Sequence, residues 1–414
     1  MIQNQQNLFA QVLDHSQIAN PYPLYAQLRE NPVSRQEDGT YVVSTYAEIS
    51  ALLHDPRVSS DERKRTRPSN LQLSPEQSQG QSTQNQEEIN PPFIFRDPPD
   101  HDRMRRLVMD RFTPELVEGV RAQIGQNVQS LLDAQRDYKQ IDIVDDFAYP
   151  LPVTVICELL GVPREDEQRF HEWADTLAGA LDPGQTAGEE DVRRLNAAAK
   201  QIREYMINLI AQLRAHPADN LLSGLLTGSD ADGQMSDRDL VSTAVLLLIA
   251  GHETTVNLIT NSMLTLLRHP EAFEQLRQNP DFVFGLVEEV LRYEPPVQFR
   301  TRTTLADIEI AGVTIPKGAP LVLLLASGSR DPRRFSNAER FEPARADNQH
   351  LGFGGGIHYC VGAPLARIEA HIALQELARR LVEPRLAVDP PSYRDNAALR
   401  GPRHLIVNFE RLQD

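Results

Sequence analysis

The chain has 414 residues, with 42 Lys and Arg against 58 Asp and Glu, a formal net charge of −16. Hydrophobic residues make up 40% and charged residues 24%, an ordinary globular composition that excludes a disordered or fibrous chain. The acidic balance argues against a nucleic-acid binder. Two cysteines alone, Cys157 and Cys360, exclude a disulfide framework and a four-cysteine metal site.

In chain order, Met1 to Ala10 is Gln- and Asn-rich and lacks the basic-then-apolar pattern of a signal peptide, so a cytoplasmic protein is expected. Tyr41 to Thr45 follows an Asp38-Gly39 turn and reads as a strand. Ser69 to Asn90 is rich in Gln, Ser, Asn and Glu and has almost nothing apolar to bury. It is expected to be a mobile loop, either a surface insertion or an active-site lid. Cys157 lies in the apolar run Val153 to Leu160 and suits inert core filling.

A long helical pattern starts at Ser236, with Asp239 three residues on as an imperfect capping box, and runs to His269 before Pro270. Unbroken, it would be about 50 Å long at 1.5 Å per residue. No stretch reaches the roughly 18 consecutive apolar residues of a membrane span; the densest run is Val245 to Ala250. From Asp281, the residues Val283, Leu286, Val287, Val290 and Leu291 form one face of a further helix, stopped by Pro295-Pro296. Ile308, Ile310, Val313 and Ile315 alternate around Ala311-Gly312 as a hairpin, and Leu405, Val407 and Phe409 alternate near the end. The pattern predicts a mainly α protein with a small β-rich lobe, in one domain over 1–414.

The stretch Phe353-Gly354-Gly355-Gly356-Ile357-His358-Tyr359-Cys360-Val361-Gly362 precedes a helix whose apolar face is Leu365, Ile368, Ile372 and Leu377. Cys360 is thus expected on a glycine-rich turn at a helix N-terminus, where free N–H groups favour thiolate. A phosphate loop is a poor alternative, because no Gly-Lys-Ser/Thr follows and no buried strand precedes. A Cys360–His358 nucleophile pair is weak, because residues two apart generally diverge. A thiolate ligand to haem iron uses every feature of the stretch.

With Phe353, Gly354, Gly356, His358, Cys360 and Gly362 in place, the sequence resembles the cytochrome P-450 haem-thiolate monooxygenases of soluble bacterial type. The likeness runs from Pro21-Tyr22-Pro23-Leu24-Tyr25 to Arg400-Gly401-Pro402, with four motifs in the family's order. It implies the cytochrome P-450 fold and a haem b held by Cys360 on the iron. His101, Arg105, Arg302 and His358 match the propionate-binding positions, while Ala250, Phe353, Gly354, Gly362 and Ala366 match further haem contacts. Arg300 is left open between the propionates and the substrate pocket. Glu289 and Arg292 match the family's Glu-x-x-Arg, a structural pair whose third member is expected to be Arg345, with Arg340 second.

Ala250-Gly251-His252-Glu253-Thr254-Thr255 in the long helix matches the oxygen-binding groove. The resemblance gives Thr254 the hydroxyl that steadies reduced oxygen and Glu253 the proton supply; His252 receives no chemistry. It implies the reaction RH + O2 + two electrons + two protons giving ROH and water. Electrons would come from NAD(P)H through a separate ferredoxin and ferredoxin reductase, the ferredoxin docking on Arg103, Arg105 and Arg106. Phe93, Phe95, Leu246, Ile249, Val297, Gln298, Ala398 and Leu399 are the candidate pocket. Their apolar character suits a lipophilic small molecule. A monomer is expected. The alternatives are non-hydroxylating or peroxide-driven haem-thiolate chemistry and, last, a haem sensor.

Overall fold

The structure, a computed structural model, describes residues 7–66, 90–179, 188–230 and 233–414. All but Asn90 of the expected loop Ser69 to Asn90 lies outside the described residues or at their edge.

The central element is the helix Asp237–Arg268. The Ser236 hydroxyl accepts from the Asp239 N–H at 3.1 Å, satisfying a donor that the first turn leaves open. Helices Pro150–Leu160, Glu167–Gly179, Glu189–Ala215, Phe282–Tyr293 and Ala363–Arg380 pack around it. By length and composition it could cross a bilayer, with mean hydropathy 1.3 over its most apolar window, yet here it is the core of a helical layer. Several of its buried polar residues are satisfied by backbone carbonyls. Thr260 and Ser262 donate to the carbonyls of Val256 and Leu258, and Asn261 donates to those of Glu294 and Arg400.

The β-rich lobe centres on a five-stranded sheet ordered Val33–Arg35, Tyr41–Val43, Pro320–Leu323, Arg300–Thr304, Val58–Ser59. Tyr41–Val43 runs parallel to Pro320–Leu323, and the other pairings are antiparallel. The strand expected over Tyr41 to Thr45 stops at Val43, because Thr45 is already the N-cap of helix Tyr46–Leu53. The hairpin pairs Ile308–Ile310 with Val313–Ile315. Its turn residues Ala311 and Gly312 have φ of 49° and 75°, the left-handed pair that a two-residue hairpin needs. Near the C-terminus, Ile406–Asn408 pairs with Arg385–Leu386 and Gln140–Asp142.

Candidate active site

Cys360 lies in the loop that feeds helix Ala363–Arg380. The loop is held by Gly354 N–H to Leu351 O at 2.8 Å and Cys360 N–H to Phe353 O at 3.0 Å. Gly356 has φ of +62°, and a Cβ there would come within 2.0 Å of the Leu53 carbonyl oxygen, so only glycine fits. Burial pushes the Cys360 thiol up; the Gly362 N–H and the Arg300, Arg105 and Arg367 charges oppose it without winning. The Gly362 N–H thus acts in the direction expected for the start of a helix, and burial acts against it. A coordinated metal cation, which deprotonates a thiol outright, is what would tip the balance.

The loop is braced from helix Phe282–Tyr293. Arg292 donates to both carboxylate oxygens of Glu289 at 2.7 and 2.8 Å, with both side chains fully buried. The third cation is Arg345, whose Nε lies 3.3 Å from Glu289 Oε2; Arg340 contributes only its carbonyl oxygen, to Arg292. One residue earlier, Glu288 takes Arg367 at 2.6 Å and His350 at 3.1 Å, which hold it down to about 2. Arg367 stands over the Phe353 ring at 4.6 Å, so Glu288 reaches the cysteine loop through it. Sequence reasoning missed Glu288, since nothing distinguishes it from a surface carboxylate until the loop folds over it.

Four sequence-selected donors lie close together. His101 on helix Asp100–Met109 is fully buried, with its ring 4.3 Å from that of His358. Its Nδ1 meets Asp102, but its buried Nε2 has no hydrogen-bond partner. His358 Nε2 lies 3.2 Å from Ser60 Oγ; burial, Arg302 and His101 push it down to about 3, so the imidazole is neutral. Arg302 donates to the Thr301 carbonyl at 2.7 Å, and burial lowers its guanidinium to about 10. Arg105 donates to Tyr359 O at 2.7 Å and acts electrostatically on Cys360. An orphaned imidazole nitrogen and a half-buried arginine with no carboxylate in hydrogen-bond contact are what two propionates would satisfy. These residues fit a haem beside Cys360.

The central helix gives the same indication. In its middle, Leu246, Ile249 and Thr254 are only partly buried and Ala250 is exposed, although buried residues flank them on both sides. These positions share one helix face, which therefore borders internal space. Thr254 Oγ1 donates to the Ala250 carbonyl at 2.7 Å, leaving its lone pairs free to accept. Glu253 points elsewhere, to Arg394 Nη1 at 2.5 Å and Asn257 Nδ2 at 3.3 Å. Burial raises its carboxyl while Arg394 opposes. Arg394 had no motif to reveal it. His252 is buried against Tyr149, ring centroids 4.3 Å apart, and burial pushes it down to about 3.

The expected pocket divides. Leu246 and Ile249 lie on the open face, and Val297 bridges to Leu399. Gln298 is fully buried; it donates to Pro295 O at 2.6 Å and accepts from Tyr25 at 3.0 Å, so its pocket assignment is corrected to a brace. Ala398 packs in the N-terminal cluster with Tyr25 and Leu28, and Leu399 is buried with Val297 and Leu321. Phe93 packs on His101 in the helical core, and Phe95 is exposed. Ala366 hydrogen-bonds Gly362 in the first turn after the loop. Of the basic cluster expected to dock a ferredoxin, Arg103 and Arg106 share Asp230, which reduces its free charge.

Residues 76–409 match the family model described as cytochrome P450. A cytochrome P450 monooxygenase of Streptomyces venezuelae, PikC, is 38% identical, covering 95% of this chain and 92% of that one. The structure of P450BioI in complex with hexadec-9Z-enoic acid ligated acyl carrier protein is 36% identical, with TM-score 0.85 and coverage of 95% and 99%. The myxobacterial cytochrome P450 CYP267B1 in complex with myristic acid is 36% identical, with TM-score 0.87 and coverage of 97% and 100%. The donors around Cys360 and these likenesses define one class, the haem-thiolate oxidoreductases that incorporate molecular oxygen. The chain belongs to the cytochrome P450 family.

Proposed function

We propose that the protein is a cytoplasmic monooxygenase of a lipophilic small molecule, taking NAD(P)H-derived electrons through a separate ferredoxin and its reductase. The observation that carries this reading is the pairing of Cys360, ringed by cationic donors, with an acid and an alcohol, Glu253 and Thr254. These sit on a helix that packs against the cysteine helix. Haem b, when bound, supplies the iron at which dioxygen is reduced and one oxygen atom enters the substrate.

The chain's own residues do the rest. Cys360 is the iron ligand, and the Gly362 N–H hydrogen-bonds its sulfur. His101, Arg105, Arg302 and His358 hold the propionates, Arg105 and Arg302 as charges and the neutral His358 as a hydrogen-bonding group. Thr254, its proton turned to Ala250 O, offers an acceptor at the open face of the helix. Glu253 holds a proton source in a buried position, released only when Arg394 lets go. Leu246, Ile249 and Val297 exclude water from the reacting carbon. Ile357 and Tyr359, exposed on the cysteine loop, give a partner an apolar contact next to the ligand; Arg105, Arg103 and Arg106 add a modest charge.

The myristic acid and acyl-chain complexes of two relatives support a substrate with a long apolar body. The test is turnover of a binder found by the haem spin-state absorbance shift, with product quantified under two electron supplies. Hydroxylated product with NADH, ferredoxin and reductase, and little with peroxide alone, is the expected result. Product formed only with peroxide overturns the electron route.

A further inference from the structure

Among the described residues, Arg300 is the one candidate cation of this site that no partner satisfies. It opens strand Arg300–Thr304 opposite Leu323, and the alternation of a strand puts it on the same face as Arg302. Among the described residues its guanidinium makes no hydrogen bond and no ion pair. Arg302 has the Thr301 carbonyl and lies within the influence of Asp97 and Glu62. The ionisable groups close enough to act on Arg300 are Cys360 and Arg302, and neither is a carboxylate. Protein surrounds Arg300 on all sides, yet solvent-sized space remains against it, which places it on internal space rather than on the outer surface.

An arginine so placed is costly without an anion. The sulfur, once it ligates iron, is no substitute, because its charge is then shared with the metal. The haem does not need Arg300 either, since His101, Arg105, Arg302 and His358 already give two donors to each of two propionates. The residues just before Arg300 are apolar and buried: Val297, which bridges to Leu399, and Phe299. A charged fork thus sits beside apolar lining, a combination that fits an amphipathic acid. Guanidinium binds a carboxylate bidentately, which neither an ester nor an alcohol can reproduce.

We propose that Arg300 is the specificity residue of the pocket and recognises the free carboxylate of a lipophilic monocarboxylic acid substrate. This rests on the haem-thiolate reading above and deepens it. The experiment uses the holoprotein, wild type, Arg300→Gln and Arg300→Lys, and reads binding by calorimetry and by the spin-state absorbance shift. The probes are two matched pairs, one linear and one polycyclic: dodecanoic acid with its methyl ester, and abietic acid with its methyl ester.

Wild type should bind at least one acid about tenfold or more tighter than its ester, as a charge-assisted hydrogen-bond pair would give. Arg300→Gln should erase that preference while leaving ester affinity within about twofold, and Arg300→Lys should keep part of it. Neither acid outbinding its ester in wild type overturns the proposal, as does an unchanged preference in Arg300→Gln. Loss of haem from both variants, measured as pyridine haemochromogen, also overturns it, by showing that Arg300 holds a propionate. The carbon monoxide spectrum of the reduced wild-type protein tests the haem-thiolate reading separately, so the two failures are distinguishable.

Discussion

Glu253 Oε1 accepts a hydrogen bond from Arg394 Nη1 at 2.5 Å, and both side chains are buried. The same Nη1 reaches Asn257 Oδ1 at 2.8 Å, and Gly401 presses on Asn257 closely enough that a Cβ there would come within 2.0 Å of that oxygen. The carboxylate expected to deliver protons is thus anchored by Arg394 to the C-terminal segment. In the role proposed for Glu253, proton delivery requires that anchor to open.

Thr254→Ala removes the acceptor at the open face but leaves the haem-binding donors and the apolar lining untouched. Substrate affinity and the carbon monoxide spectrum should stay near wild type, and NADH and oxygen should still be consumed. More hydrogen peroxide and less product per NADH are expected. Glu253→Gln should instead slow the whole cycle by about 10²-fold or more, as loss of a general acid does. Wild-type coupling in Thr254→Ala would show that ordered water or the substrate supplies the hydrogen bond.

Cys360 and Cys157 separate ligand from filler. Reduced wild-type protein with carbon monoxide should show the strongly red-shifted Soret band of thiolate ligation, and Cys360→Ser should abolish it. Cys157 is fully buried in the helical core, where burial pushes its thiol up. Cys157→Ser should keep the band and lower stability by about 1–3 kcal/mol, the cost of a buried hydroxyl that lacks a partner.

Glu289→Ala would leave Arg292 and Arg345 without their shared anion, where helix Phe282–Tyr293 meets the segment that precedes the cysteine loop. Destabilisation of about 3–5 kcal/mol and loss of haem on mild heating are expected. Arg340→Ala should change stability by no more than about 0.5 kcal/mol, because the exposed residue gives the network only its backbone carbonyl. Thermal unfolding followed by haem absorbance compares the two.

Glu369, nine residues beyond Cys360 on the cysteine helix, is buried with Oε2 unpartnered, and desolvation raises it to about 8 from the usual 4.5. Between those pH values the unfolded chain has released this proton and the folded chain retains it. Its contribution therefore destabilises the fold progressively as pH rises through that window. Glu369→Gln should be near neutral at pH 4.5 and stabilising at pH 8, on the order of a few kcal/mol at most. Equal effects at both pH values, in denaturant titrations, would place the carboxyl in contact with water.

Much of the architecture was legible in the residues themselves. Ser236 as N-cap, Pro270 as stop and the face from Val283 to Leu291 marked two helices, and Ala311-Gly312 marked a hairpin turn. These depend on local rules, a cap oxygen, a missing N–H, a left-handed turn, that act within a few positions of the chain. The cysteine loop was readable for the same reason, since its glycines and its helix are contiguous. What the tertiary structure alone decided is which charges meet. Glu289 takes Arg345 and not Arg340, Glu253 faces Arg394, Gln298 turns to Tyr25, and Arg103 with Arg106 surrenders to Asp230. Burial, which pushes the Cys360 thiol up against the pull of the Gly362 N–H, and the lack of a hydrogen-bond partner at Arg300 belong to this second group. Electrostatic energy depends on distance and on exclusion of water, and both are set by segments from 56 to 273 residues apart that only folding brings together.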